Sequence, residues 1–250
     1  MIGLSAPPLD LSHPLAGMPL TPAGGGWLAK RSSPMTRTKA LLLDAMGTLI
    51  GLRQSVGTLY SAAAEDHGLD LEPEALDRAF GQAYSQAPAL AFPDVAPAHL
   101  EQAERHWWQQ RIEATFAALG VSPLPIGLAG ELFDRFAQPE PWAVYPEVPG
   151  ALERWRQSGL KLMVVSNFDR RLHGLLESLG LREAVDGVLV SSEVGAAKPN
   201  PALLVEALKH VPCPADQALL IGDSHADEQA AAAAGMTCLR LQRPSGLLVS

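Results

Sequence analysis

The sequence has 250 residues, of which 47% are hydrophobic and 18% are charged, and its net charge is −8. A chain of this length can bury a sizeable core, and its acidity, with no basic run longer than a pair such as Arg170–Arg171, argues against a nucleic-acid-binding protein. The two cysteines, Cys213 and Cys238, lack metal-site spacing and predict a reducing compartment, which we take to be the cytoplasm, and no apolar run is long enough to cross a membrane.

The N-terminal stretch, residues 1–37, is rich in proline, glycine and serine and shows no hydrophobic period. This composition predicts a disordered extension. An equally simple interpretation is a start codon assigned too early, because Met35 stands shortly before the first predicted strand. A signal peptide would need an uninterrupted apolar run, which is missing. The basic stretch of residues 30–37 weakly resembles a transit peptide, so organelle targeting stays open as an alternative.

The first element of the folded part is a short strand, residues 40–43, which runs directly into Asp44. Consecutive apolar residues without alternation are typical of a strand that is buried on both faces of a parallel sheet. Open α/β sheets bind ligands at the carboxyl ends of their strands, where Asp44 is expected to lie. Gly47 allows the sharp backbone turn that such a site needs.

The pattern then becomes helical up to about residue 140. Four helices are predicted, over residues 54–68, 72–87, 99–119 and 127–137, without a strand signal between them. Residues 139–150 contain four prolines and are interpreted as a linker. We therefore predict a core made of residues 38–53 and 143–250, with residues 54–142 as a helical insertion.

Strands and helices alternate from residue 151 onward. Four further strands are predicted, over residues 160–165, 185–191, 218–221 and 236–241, and helices are predicted over residues 151–158, 170–180, 200–210 and 227–234. This alternation predicts an α/β fold with a doubly wound, mostly parallel, Rossmann-like sheet.

Polar side chains follow four predicted strands at their carboxyl ends. They are Asp44, Ser166 with Asn167, Lys198, and Asp223 with Asp227. The topology should bring these ends to one crevice, where the carboxylates repel one another unless a cation binds, and Mg²⁺ suits such oxygen ligands. Ser166, Lys198 and the backbone N–H groups after Asp44 suit a phosphate.

Four segments in this order resemble the motifs of the haloacid dehalogenase-like superfamily. DAMGTL, which begins at Asp44, resembles the nucleophile motif, and VVSNF contains Ser166 at the phosphate-binding position of the second motif. AAKPNP resembles the third motif with Lys198, and IGDSHADEQAAAAAG resembles the acidic fourth motif with Asp223 and Asp227. The match covers about residues 39–242. It implies that the helical insertion is a cap of the C1 type, which covers the site and selects substrates.

Within the superfamily, the chain resembles the haloacid dehalogenase-like hydrolase domain-containing protein 3 group. The residues that carry this resemblance are HWW at 106–108 and SNFDRRLHGLLESLGLR at 166–182.

The resemblance implies hydrolysis of a small phosphorylated molecule. Asp44 would attack phosphorus and form an aspartyl-phosphate, and Lys198 would supply the compensating positive charge. The phosphate would be bound by four residues: Gly47, Thr48, Ser166 and Asn167.

The resemblance also implies Mg²⁺ as cofactor, and it exposes one departure from the family pattern. The carboxylates of Asp44 and Asp223 and the backbone carbonyl of Met46 would hold the ion, with Asp227 behind them. In phosphatases of the family, the position of Met46 is a second aspartate, which protonates the leaving oxygen and then activates water. A thioether cannot exchange protons at neutral pH, and general acid–base help contributes about 10²–10⁴-fold.

Three functions follow from this departure. The first is a hydrolase that is slow on esters with poor leaving groups, or that is helped by a water molecule or by a group of the substrate. The second is a catalytically weakened binding or regulatory protein. The third is a C–halogen hydrolase, which needs no acid, but such relatives carry tyrosine or another specific residue at the position of Met46 and an arginine that the insertion does not reveal. We favour the hydrolase, because the other motif residues persist. No nucleic-acid or membrane partner is expected, and the sequence does not predict an oligomeric state.

Overall fold

The computed structural model describes residues 38–243, so the predictions for residues 1–37 lie outside the described residues. The strands are β1 (Ala40–Leu43), β2 (Ile50–Leu52), β3 (Trp142–Val144), β4 (Lys161–Ser166), β5 (Gly187–Val190), β6 (Ala218–Gly222) and β7 (Thr237–Arg240). The helices are α1 (Val56–Asp66), α2 (Pro73–Ser85), α3 (Leu100–Ala117), α4 (Leu128–Arg135), α5 (Val148–Gln157), α6 (Arg171–Ser178), α7 (Ser191–Val194), α8 (Ala202–Leu208) and α9 (His225–Ala233).

Five of these strands form one parallel sheet in the order β5-β4-β1-β6-β7. Strand β1 lies at its centre, where Ala40 is in register with Lys161 of β4 on one side and with Ala218 of β6 on the other. The whole of β1 is buried. The predicted α/β fold with a doubly wound, mostly parallel sheet is therefore confirmed.

Helices cover both faces of this sheet, because successive side chains of each buried strand point to opposite sides. Leu41 and Leu43 pack into a core with α5 and α6, whereas Ala40 and Leu42 pack into a second core with α8 and α9. Since β1 carries only apolar residues toward both faces, the first polar side chain after it, Asp44, lies beyond its carboxyl end. Within residues 38–243, no helix is long and apolar enough to span a membrane.

The short strands β2 and β3 were not predicted. They form a separate antiparallel pair in which Ile50 lies opposite Val144 and Leu52 lies opposite Trp142. The prolines of residues 139–150 indicated only a linker, and three residues are too few to show a period. Because the pair joins both ends of the helical segment, it fixes where that segment leaves and re-enters the sheet domain.

The helical segment consists of α1 to α4 and has its own core. Tyr60 and Phe116 stack with their ring centroids 5.9 Å apart, and Leu76, Leu128 and Ile112 are buried around them. The four predicted helices thus exist, with ends shifted by a few residues. Their role as a cap, and the domain boundaries at residues 53 and 142, stay predictions.

Candidate active site

Asp44 lies at the carboxyl end of the central strand β1 and is only 6% exposed. Its backbone N–H donates to the carbonyl of Ile221 at 2.9 Å, which continues the sheet pairing to β6. The chain then turns tightly, because the N–H groups of Leu49 and Ile50 both donate to the carbonyl of Ala45 at 2.8 and 3.0 Å. This turn holds the residues after Asp44 at the mouth of the crevice.

Gly47 is required by this turn. Its φ of +82° lies in the left-handed region, and a Cβ at this position would collide with the carboxylate of Asp223. The absence of a side chain therefore allows the loop after β1 to lie against the loop after β6, which brings Asp44 and Asp223 together.

Lys198 is the buried cation of the site. It lies in the loop between α7 and α8, and its Nζ donates to Oδ1 of Asp44 at 2.7 Å, to Oδ1 of Asp227 at 2.5 Å and to the carbonyl of Val165 at 3.0 Å. The side chain is 2% exposed. All three of its donors are thus used, and the ammonium links the ends of β1, β4 and the first turn of α9.

Ser166 and Asn167 follow β4, but their side chains do different things. The hydroxyl of Ser166 donates to Oδ1 of Asp44 at 3.3 Å. The amide of Asn167 instead donates to the carbonyl of Lys198 and accepts from its N–H, both at 2.8 Å. This geometry favours a positioning role for Asn167, and phosphate binding by its side chain stays a prediction.

Asp223 and Asp227 come from the end of β6 and the start of α9. Asp227 is the third residue of α9, and it completes a capping box in which Ser224 Oγ accepts from the N–H of Asp227, while Asp227 Oδ2 accepts from the N–H of Ser224 at 3.0 Å. Asp227 therefore has both oxygens engaged, one with Ser224 and one with Lys198. One oxygen from each of Asp44, Asp223 and Asp227 lies within 4.8 Å of the others.

Burial and mutual repulsion shape the charge of this cluster. Burial raises the pKa of Asp44 to about 6, although the ammonium of Lys198 opposes the shift. Burial and the carboxylate of Asp227 also raise the pKa of Asp223. Burial also acts to raise the pKa of Asp227. The ammonium of Lys198 and the hydrogen bonds from Ser224 outweigh burial and lower this pKa. Three carboxylates thus face one ammonium, and a bound cation would relieve the remaining negative charge.

Lys198 stays charged in this setting. Burial acts to lower its pKa, but the carboxylates of Asp44 and Asp227 prevail and raise it. A permanent positive charge within hydrogen-bond distance of Asp44 suits the binding of an anionic group there.

Met46 and Thr48 occupy the turn after Asp44. Met46 is 47% exposed, so the residue two positions after Asp44 is uncharged and open to solvent. Thr48 is 2% exposed, and its hydroxyl has no hydrogen-bond partner among residues 38–243. A buried hydroxyl in this state is expected to find its partner in a ligand or in water.

Arg243 was missed by the sequence reasoning, which found no pattern beyond residue 241. Its guanidinium donates to the carbonyl of Thr48 at 2.7 Å and to that of Gly47 at 3.3 Å, and it also pairs with Glu147. The same group lies 3.8 Å above the ring of Tyr145. Arg243 therefore stabilises the turn after β1 through its backbone carbonyls. No local sequence pattern indicates a contact between residues so distant in the chain.

Comparison with known proteins identifies the family. A family model of haloacid dehalogenase-like hydrolases matches residues 38–235. The chain therefore belongs to the haloacid dehalogenase-like hydrolase family.

Two relatives refine this placement. The chain is 37% identical over 212 residues to haloacid dehalogenase-like hydrolase domain-containing protein 3 of Homo sapiens, and the match covers 84% of each chain. This confirms the resemblance to that group. The chain is also 30% identical over 200 residues to phosphoglycolate phosphatase of Rhodospirillum rubrum. This match covers 79% of this chain and 77% of the relative.

Solved structures agree on the fold. L-2-haloacid dehalogenase of Xanthobacter autotrophicus has a TM-score of 0.63 at 19% identity, covering 83% of this chain and 79% of that one. A magnesium-bound protein of Bacillus subtilis, described as a putative HAD-hydrolase, has a TM-score of 0.59 at 17% identity. The match covers 84% of this chain and 90% of that one. At such identities the likeness concerns the fold alone.

Proposed function

We propose that the protein is a Mg²⁺-dependent phosphoryl hydrolase in which Asp44 is the nucleophile. The observation that carries the proposal is the buried Asp44 carboxylate, which Lys198 and Ser166 hold through its Oδ1 atom at the end of the central strand. A phosphatase among the relatives supports the same reaction class.

The residues present fit a magnesium ion. Asp44 and Asp223 would offer carboxylate oxygens, the hard donors that Mg²⁺ prefers, and Asp227 would orient Lys198 and the start of α9 behind them. The backbone carbonyl of Met46 remains our proposed third protein ligand. When bound, Mg²⁺ would offset the negative charge of the phosphoryl group and polarise it.

The chain's own residues supply the nucleophile and the anion contacts. An oxygen of Asp44 attacks phosphorus, the bond from phosphorus to the ester oxygen breaks, and an aspartyl-phosphate forms. The ammonium of Lys198 and the hydroxyl of Ser166 stabilise the phosphoryl oxygens, as does Thr48, whose buried hydroxyl has no partner in the described part of the chain. Phosphate binding at Gly47 remains part of our proposal, and the missing side chain there lets the turn after β1 lie against the carboxylate of Asp223.

Proton transfer is the weak part of this site. Met46 cannot protonate the leaving oxygen, and it cannot activate the water that releases phosphate from Asp44. Some esters have leaving groups that need a proton. For these esters we expect turnover to be about 10²–10⁴-fold slower than at a site with an acid.

The helical segment, residues 54–142, is our proposed cap, and the substrate is a small phosphorylated molecule. Contacts from α3 to the sheet domain support this assignment, because Trp108 Nε1 donates to Oδ2 of Asp169 at 2.6 Å, three residues after Ser166.

A second candidate function is binding or regulation without efficient catalysis, and the exposed Met46 favours it. Hydrolysis of a C–halogen bond is a third, since the fold is shared with a haloacid dehalogenase.

Phosphate release with Mg²⁺ separates these functions when the wild type is compared with Asp44→Asn and Met46→Asp. The exposed Asp70, in the loop before α2, gives the matched control Asp70→Asn. We expect activity in the wild type that only Asp44→Asn abolishes. An inactive wild type that gains activity in Met46→Asp would support the binding protein instead. Halide release from a 2-haloacid would support the dehalogenase.

A further inference from the structure

Three aromatic residues of the helical segment form a cluster that is open to solvent. Tyr84 of α2 lies 6.0 Å from Trp107 and 6.2 Å from Trp108 of α3, and the two tryptophan rings are 4.9 Å apart, all between ring centroids. Trp107 is buried, Trp108 is half-buried and Tyr84 is 43% exposed. We call these three residues the aromatic cluster.

The aromatic cluster is anchored beside the candidate active site. The indole N–H of Trp108 donates to Asp169, which is fully buried in the loop between β4 and α6. Arg171 pairs with the same carboxylate at 2.7 Å and lies 5.2 Å from the centre of the Trp108 ring. Trp108 is thus attached to the loop that follows Ser166.

The phenol of Tyr84 interacts electrostatically with the carboxylate of Asp44. Partial burial, followed by the carboxylates of Asp44 and Asp169, raises the pKa of this phenol. The phenol therefore stays neutral at physiological pH. Met46 and Tyr84 are both uncharged and exposed, whereas the carboxylates and Lys198 supply the charges of the site.

The basicity of the leaving group limits which phosphate esters this site can hydrolyse. Without an acid at position 46, the ester oxygen must leave as an anion. A phenol has a pKa of about 10, whereas a water-like hydroxyl has one of about 16. A phenoxide therefore leaves far more readily than an alkoxide when no proton is supplied.

We infer that the substrate is a phosphate monoester of an aromatic hydroxyl, whose ring packs against Tyr84 and Trp108 while its phosphate meets Asp44. The inference rests on the proposed function and names its substrate class. The aromatic cluster provides the stacking surface, and Met46 both contacts the ring and selects against esters that need an acid.

The bonds balance without a proton donor in the protein. Asp44 forms a bond to phosphorus, the phosphorus–oxygen bond of the ester breaks, and the aryl oxygen takes the bonding pair and leaves as phenoxide. Water then attacks phosphorus, its proton passes to solvent, and the carboxylate of Asp44 is regenerated with release of inorganic phosphate.

Phenyl phosphate and cyclohexyl phosphate test the inference, because they are similar in size and differ in leaving-group basicity and ring character. We expect the wild type to prefer phenyl phosphate in kcat/KM by about 10²-fold or more, since general acid help is absent. Met46→Asp should narrow this preference by raising the rate on cyclohexyl phosphate.

The role of the ring surface is tested by Tyr84→Ala. We expect KM for phenyl phosphate to rise about 3–10-fold, as loss of an aromatic contact predicts, while KM for acetyl phosphate, which has no ring, stays unchanged. Tyr84→Phe keeps the ring and should keep the KM. Ile126→Ala, at a fully exposed residue before α4, is the control for loss of an apolar side chain.

Equal kcat/KM for the two esters, with Asp44-dependent turnover, would overturn the inference and leave the proposed function standing. The same rise in KM for acetyl phosphate as for phenyl phosphate in Tyr84→Ala would also overturn it. No Asp44-dependent turnover of any of the three compounds would overturn both.

Discussion

Asp44 and Met46 stand two positions apart and set the chemistry of this site in opposite directions. Asp44 is buried, paired with Lys198 and intact. Met46 is half exposed and cannot carry a proton. In the proposed mechanism, the site therefore keeps the residues that would form a covalent intermediate and lacks the residue that would help the leaving group and water. A weakly basic leaving group removes the need for the acid in the first step, whereas the water that then attacks phosphorus has no base at position 46.

Gly47→Ala tests at the residue scale whether the turn after Asp44 depends on close approach of Asp223. The new Cβ would collide with the Asp223 carboxylate and also meet an unfavourable φ. We expect the free energy of unfolding to fall by about 2–3 kcal/mol and Mg²⁺ binding to weaken, measured by urea unfolding and by Mg²⁺ titration.

Gly120→Ala is the matched control for this substitution. Gly120 has nearly the same φ, +81°, but nothing lies within 4 Å of the position of a Cβ, so only the backbone cost of about 1 kcal/mol applies. Equal losses of stability in the two variants, with unchanged Mg²⁺ binding in both, would show that the contact between Gly47 and Asp223 is unimportant.

At the scale of elements, Asn167, which follows β4, positions the loop between α7 and α8. The side-chain amide of Asn167 donates to the backbone carbonyl of Lys198 and accepts from its backbone N–H. We expect Asn167→Ala to cost about 1–3 kcal/mol of stability and to lower kcat more than it raises KM, because the ammonium of Lys198 loses its support. Steady-state kinetics and urea unfolding measure the two effects.

Asn200→Ala is the control, since the side chain of Asn200 lies in the same loop and only accepts a local hydrogen bond from Ala202. If both variants kept wild-type kcat, Asn167 would have no positioning role.

The pairing of Asp186 with β4 gives a pH prediction. Burial acts to raise the pKa of Asp186, but the N–H of Leu162 and the ammonium of Lys161 prevail and lower it. A depressed pKa means that Asp186 stabilises the fold above its unfolded pKa of 3.8 and that this contribution is lost as pH falls through the folded pKa.

Asp186→Asn should therefore cost less than about 1 kcal/mol at pH 7, since the pair is partly exposed to solvent. The difference from the wild type should vanish when unfolding is measured in the acid range below that pKa. A difference that grows toward acid pH would contradict the assigned direction of the shift.

Elements were predictable from sequence wherever local pattern decides their formation. The continuous apolar run of β1 and the alternation of strands and helices after residue 151 indicated the sheet and the positions of Asp44, Ser166, Lys198 and Asp223 at its edge. The pair β2–β3 was not predictable, because its strands are only three residues long and are stabilised by pairing with each other. Arg243 and the two hydrogen bonds of Asn167 depend on tertiary contacts that no local pattern encodes.

At the scale of the whole molecule, the helical segment is fixed to the sheet domain by buried polar groups. Glu104 of α3 is 2% exposed and accepts from Ser192 Oγ at 2.6 Å and from Arg170 Nε at 3.1 Å. This arrangement fixes α3 to the sheet domain, and Trp108 of the aromatic cluster lies on the same helix one turn later.

Glu104→Ala should therefore lower the free energy of unfolding by about 2 kcal/mol or more, because Ser192 and Arg170 lose their partner in a buried place. Glu113→Ala is the control on the same helix, where the carboxylate contacts only Gln109 near the surface. Urea unfolding measures both, and equal effects would mean that Glu104 does not fasten the segment.

The central claim is that Asp44 carries the phosphoryl group, and trapping of the phosphorylated enzyme tests it most directly. The protein is mixed with Mg²⁺ and radiolabelled phenyl phosphate, quenched rapidly with acid and mapped by peptide mass spectrometry. We predict the label on the peptide that contains Asp44, and no label in Asp44→Asn. A label on a different residue, or phosphate release by Asp44→Asn at the wild-type rate, would contradict the account.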